Sequence, residues 1–211
     1  MRLRIYLLVA VATAWVNTLP VLSGLAEECA STNPERAIRF CSMIIETGPT
    51  RQVDLPMAFY NRGRSNQILG HNDQAIADLT AAIEKSADYG DAFEARGTAH
   101  FAAGHTVLAI EDYTRAIDLN PSVAHGYFNR GNAYGKAGDY VKAIDDLTAS
   151  IRLDPNFAPA HFNRAVAYVN HGERAKALDD LHRAIEIDPA YERPKRALDA
   201  LGQAERNRDR K

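Results

Sequence analysis

One interval governs this sequence. Arg62, Arg96, Arg130 and Arg164 stand 34 residues apart, followed directly by Gly63, Gly97, Gly131 and Ala165. Gly70, Gly104, Gly138 and Gly172 keep the same spacing, as do Ala75, Ala109, Ala143 and Ala177. Asp78, Asp112, Asp146 and Asp180 form a further ladder, and so do Ile83, Ile117, Ile151 and Ile185. Chance does not align so many positions. A period of this length constrains the fold severely, because each copy is one supersecondary unit that buries its apolar face only against its neighbours.

The grammar inside a copy is two amphipathic helices. In the third, residues 124–136 carry Tyr127, Phe128, Gly131, Ala133 and Tyr134 at helical rather than alternating spacing. Gly138 ends that helix, as a residue free to adopt positive φ does. Asp139 is placed to cap the next one, whose apolar stripe is Ala143, Ile144, Leu147 and Ile151. Pro155 stops it, since proline cannot continue the backbone ladder. The repeated arginines and aspartates suggest pairing within or between copies, as half-buried ion pairs that fix helix register.

This pattern resembles the tetratricopeptide repeat (TPR) family. The matching residues are the bulky Phe59, Phe93 and Tyr127 that open each first helix, and the small Gly63, Gly97 and Gly131. In the second helix they are the small Ala75, Ala109, Ala143 and Ala177, then Leu79, Tyr113, Leu147 and Leu181 four residues later. Departures are His161 at the fourth opening position, Ala165 for its glycine and Ala87 for the first terminal proline. The resemblance implies an all-α fold, a right-handed helical-repeat solenoid of helix–turn–helix units. Four units follow, at 56–89, 90–123, 124–157 and 158–191, with a capping helix and tail over 192–211.

Residues 1–26 read as a targeting segment. Arg2 and Arg4 precede an apolar run from Ile5 to Val16, and Ser23-Gly24-Leu25-Ala26 ends it in small residues, the layout of a secretory signal peptide. Cleavage there leaves a chain that is exported, periplasmic or secreted, with no membrane span. The alternative is an uncleaved anchor, since no formal charge falls between Ile5 and Ala26. Residues 27–55 then form an N-terminal cap whose helix, around Ala37 to Ile45, reads like the lone second helix of a repeat. Both cysteines, Cys29 and Cys41, lie in this cap, and in an exported chain the pair favours a structural disulfide.

Little room is left for chemistry. Lys and Arg total 25 against 27 Asp and Glu, too little positive charge for a nucleic-acid binder held by phosphate neutralisation. His71, His100 and His105 accompany no metal-ligand spacing, so no metal is expected. The string Gly131 to Gly138 lacks the phosphate-loop pattern and falls inside a predicted helix. No cofactor is called for, and no nucleophile–base pair can be named, so the chain is not expected to be an enzyme.

The resemblance implies a partner-binding groove lined by residues just after each opening aromatic. Here those are Tyr60 and Asn61, Glu94 and Ala95, Phe128 and Asn129, and Phe162 and Asn163, with Arg64, Gln67, His125 and Asn132 beside them. Asparagine amides can both donate to and accept from the backbone of an extended peptide. The competing role for these aromatics is packing on the next repeat. A carboxylate clamp of the kind some family members use is incomplete, because Phe128 stands where its first lysine is needed. The expected function is a protein-interaction scaffold holding a protein or extended peptide. A self-assembling envelope module is the second reading, and an enzyme of unnamed chemistry the third.

Overall fold

The computed structural model describes residues 24–47 and 54–208, with side chains through 203. The expected signal segment lies outside the described residues except for 24–26. Two units divide the chain, Met1–Ala103 and Gly104–Lys211. Unit 1 holds a helical stretch over 24–29, then α1 (Pro34–Thr47), α2 (Leu55–Ile68), α3 (Asn72–Lys85) and α4 (Gly90–Ala102). Unit 2 holds α5 (Thr106–Leu119), α6 (Ala124–Ala137), α7 (Tyr140–Leu153), α8 (Ala158–His171), α9 (Arg174–Ile187) and α10 (Glu192–Arg208). The described residues contain no strand, and none of their helices is long and apolar enough to cross a membrane.

Local chemistry sets the helix ends. Asp54 caps α2, its carboxylate accepting from Met57 N at 3.1 Å, and Asp139 caps α7 by accepting from Lys142 N at 3.2 Å. The four turn glycines adopt φ between 77° and 89°, the left-handed region that disfavours any residue with a Cβ. His71 and His105 are N-cap residues of α3 and α5, so these two histidines belong to the turns.

Within each unit every helix packs on its chain neighbours, and the first helices of successive repeats also touch, α2 against α4 and α6 against α8. Close approach explains the small residues. A Cβ at Gly63 would lie 2.8 Å from Leu79 Cγ, and one at Gly131 would lie 2.9 Å from Leu147 Cγ. Both distances are shorter than real carbon contacts, so a side chain at either glycine would have to push its leucine aside. In the last repeat Ala165 takes the glycine's place, buried in a cluster with Phe162, Ala177, Leu181 and Ala184. Ala197, Leu198 and Leu201 of α10 cover that cluster and close the end of unit 2.

The N-terminal cap follows the same packing plan. Ala37, Cys41 and Ile44 are buried with the spacing of Ala75, Leu79 and Ala82, but 38 residues ahead of them, four more than one period. Cys41 thus stands in the position of Leu79 and is disulfide-bonded to Cys29 (S–S 2.09 Å). Leu25 and Leu55 pack against this cluster from either side in sequence. Leu25 precedes the expected cleavage point, and the helical stretch 24–29 runs across that point.

Candidate functional site

The arginine ladder is consumed by the fold. In each resolved pairing the guanidinium forks onto the aspartate of its own repeat. Arg62 Nε and Nη2 donate to Asp78 at 3.0 and 2.6 Å, Arg130 to Asp146 at 2.8 and 2.8 Å, and Arg164 to Asp180 at 2.7 and 2.7 Å. The remaining Nη1 crosses to a hydroxyl on the preceding second helix. Arg62 reaches Ser42 at 3.0 Å, Arg96 reaches Thr80 at 3.1 Å, Arg130 reaches Thr114 at 3.1 Å and Arg164 reaches Thr148 at 3.0 Å. One side chain therefore ties two repeats, which fixes their register. The opening aromatics Phe59, Phe93 and Tyr127 roof these guanidinium groups at 5.6, 5.6 and 5.8 Å.

The last repeat varies this device. Arg164 lies over Tyr168 instead, and the opening residue His161 is buried with Nδ1 3.2 Å from Asp180 Oδ1 and Nε2 3.1 Å from Pro155 O. Burial opposes ionisation of Asp180, yet hydrogen bonds from Arg164 and His161 hold its carboxyl below the usual range.

The face presented by the first helices differs between units. In unit 1, Tyr60 packs on Tyr89 with centroids 5.1 Å apart, and the positive charge of Arg64 acts on the Tyr60 phenol. Burial raises both phenols, Tyr89 to about 12, with Asp91 adding to each, so both remain protonated donors at neutral pH. Asn61 sits 3.9 Å from the Cys29 sulfur, and Ala95 is buried. Glu94 is half-buried on α4. Gln67, expected in the groove, donates Nε2 to Ala95 O at 2.7 Å and so plugs the space between α2 and α4.

In unit 2 the aromatics are drawn into packing. Phe128 meets Phe157 at 4.8 Å, as does His125, and Phe162 meets Tyr191 at 5.5 Å. Phe162 is only 6% exposed, with Arg193 stacked 4.7 Å over its ring, so it is a core residue and not a groove lining. The physical reason is that Tyr191, which ends the same repeat, meets its edge while Arg193 covers its face. The asparagines behave differently. Asn163 Nδ2 donates to Asn132 Oδ1 at 2.7 Å, bridging α8 and α6, and Asn129 is half-buried on the same helix. Three and six residues further along α8 come Val166 and Val169, 42% and 40% exposed, which periodicity alone did not single out. Their signal was present all the same: they replace Asn132 and Gly135 of the preceding repeat with aliphatic residues on an unburied stripe. Among the described residues no three His, Cys, Asp or Glu side chains converge as metal ligands.

Known proteins show the same architecture. Tetratricopeptide repeat models match residues 124–157 and 158–191, and a TPR repeat model matches 108–138. A crystal structure of MamA is 25% identical over 74% of this chain and 89% of its own, with a TM-score of 0.68. YrrB, described as a TPR protein with an unusual peptide-binding site, is 25% identical over 88% of this chain and 90% of its own, with a TM-score of 0.69. MamA from residue 41 to the end, from Desulfovibrio magneticus RS-1, shares the fold at 17% identity, covering 82% of this chain and 96% of its own, with a TM-score of 0.72. No curated protein sequence matches the chain. The 34-residue ladders, the stacked helix pairs they fold into and these matches together make the chain a member of the tetratricopeptide-repeat family.

Proposed function

We propose that this interaction module holds an extended peptide segment of a partner protein on the first-helix face of unit 2. The observation that carries the reading is the Asn163–Asn132 bond, which pins two amides across neighbouring repeats. Donation from Asn163 leaves a carbonyl on that side chain and an NH2 on Asn132. A residue in an extended chain offers an N–H and a C=O along one edge, so such a pair can meet both without demanding a particular side chain. The description of YrrB as carrying a peptide-binding site supports peptide binding as a use of this fold.

The test is an affinity comparison in the intact protein. The probe is a pool of N-acetylated, C-amidated octapeptides, read by fluorescence polarisation. Asn132→Ala with Asn163→Ala should weaken binding about tenfold, the consequence of losing roughly 1.4 kcal/mol of hydrogen bonding. The melting temperature should barely move. Equal binding by wild type and the double variant would remove the amide pair from the site.

We also infer export. The basic, apolar and small-residue order of residues 1–26 supports it, as does a cysteine pair that is oxidised in the fold. Intact mass of protein recovered from cells decides it. Trp15 is the only tryptophan, so a processed chain should show no indole absorbance, and retained Trp15 would contradict cleavage.

A further inference from the structure

Small residues at 23, 24 and 26 follow the apolar run, so the sequence offers more than one place for a peptidase to end it. Two bonds have short side chains both on the residue before the cut and two positions earlier. Cutting after Ala26 uses Gly24 and Ala26, whereas cutting after Ser23 uses Val21 and Ser23. The resulting chains differ only in Gly24, Leu25 and Ala26, and these residues begin the helical stretch 24–29.

Leu25 is partly buried, packed against the cluster of Cys29, Cys41, Ile44 and Ala58. It stands one helical turn before Cys29, so the two side chains share a face of the stretch. Ala26 O accepts from Ala30 N at 3.1 Å and closes its last turn. Beyond that point Glu28 pairs with Arg36, and Cys29 is bonded to Cys41. A chain starting at Glu27 would keep both of those links but have no residue one turn before Cys29. Cys29 and Cys41, 2% and 0% exposed here, would lose part of their apolar cover. Gly24 marks the limit of this packing, because a Cβ added there would meet nothing within 4 Å.

We propose that processing cuts the Ser23–Gly24 bond, so that Leu25 stays on the mature chain as part of its N-terminal cap. The proposal rests on the inference of export and moves the cleavage point from Ala26 to Ser23. The step is hydrolysis by an endopeptidase of the export machinery. Water adds across the peptide bond, leaving a carboxylate on Ser23 of the released leader and an ammonium on Gly24 of the mature chain. A new charge of this kind must stay hydrated, and the open surroundings of Gly24 allow it.

The experiment expresses the full-length chain in an exporting bacterial host and reads the first residue of the exported protein by N-terminal sequencing and intact mass. Gly24 is expected. A chain beginning at Glu27 would overturn the proposal and leave export standing, whereas an unprocessed chain retaining Met1 would overturn both. Ala26→Leu should leave the first residue at Gly24, and Ser23→Leu should abolish that product. Loss or relocation of the cut in the first variant, or an unchanged product in the second, would place the site elsewhere and overturn the proposal. The packing argument has its own readout in Leu25→Asn. This substitution should lower the melting temperature of the exported protein by about 2–4 °C, the order of shift expected when a chain of this size loses a partly buried leucine. Melting equal to wild type would remove the reason for keeping Leu25 and contradict the proposal.

Discussion

Asp180 illustrates how much a single carboxylate carries. Two bonds from Arg164 and one from His161 converge on it, and together they outweigh the cost of burying its charge. Its folded pKa lies below the unfolded value of about 3.9. The stabilisation is therefore complete above that value and is lost as pH falls through the folded one. Acid titration followed by circular dichroism should show a steeper loss below about pH 4 in wild type than in Asp180→Asn. That variant should also lose about 3 kcal/mol at neutral pH, because Arg164 is left half-buried without its partner. Ser150 makes the opposite case. Its hydroxyl is fully buried with no hydrogen-bond partner in the structure, where the sister repeats place Ala82, Ala116 and Ala184. Ser150→Ala should raise stability by about 1 kcal/mol, read as a higher urea midpoint. The arginine–aspartate pairing was legible because both partners recur every 34 residues. The hydroxyl that completes it also recurs, at Thr80, Thr114 and Thr148, but threonine on a helix surface is common enough to pass unremarked. His161 was legible only as a departure from the aromatic pattern, since periodicity does not show that a ring faces two acceptors.

At the scale of helices, glycines that look alike in sequence divide into two kinds. Gly131 admits Leu147 to the seam between α6 and α7, so Gly131→Ala should cost about 2 kcal/mol through overpacking. Gly135, four residues on and in the same helix, meets nothing closer than 3.9 Å. Gly135→Ala should then raise stability by roughly 0.5 kcal/mol through helix propensity. A pair of urea curves separates the two, and destabilisation by both would contradict this division. Helix positions and turns followed from glycine, proline and the apolar stripes. The fate of the face residues did not. Tyr60, Phe128 and Phe162 read alike in sequence, yet each ring is claimed by the aromatic that ends its own repeat 29 residues on, Tyr89, Phe157 or Tyr191. Both partners stand in one repeat at a constant spacing, but the pattern does not show that the closing loop turns its last residue back onto the first helix.

At the scale of the whole molecule, the chain is a set of neighbour contacts that must be closed at its ends. The N-terminal cap has the packing positions of a second helix but no arginine–aspartate fork, since Phe40 stands where Asp78 stands relative to Leu79. The disulfide from Cys41 to Cys29 anchors it instead. Closing so short a loop contributes on the order of 3 kcal/mol. Reduction, or Cys41→Ser, should therefore release α1 first. Hydrogen exchange should show amides in α1 losing protection before those of α3, because repeats support only their neighbours. We propose as binding face the stripe of the first helices in unit 2 around the Asn132–Asn163 pair. Its most direct measurement is photo-crosslinking from two exposed valines of that unit, each replaced in turn by p-benzoylphenylalanine. Val166 lies on the proposed face and Val141 on the second helix α7, and both are at least 40% exposed. The acetylated, amidated peptide pool should crosslink from position 166 and not from 141. Capture from 141, or from neither, would contradict the account.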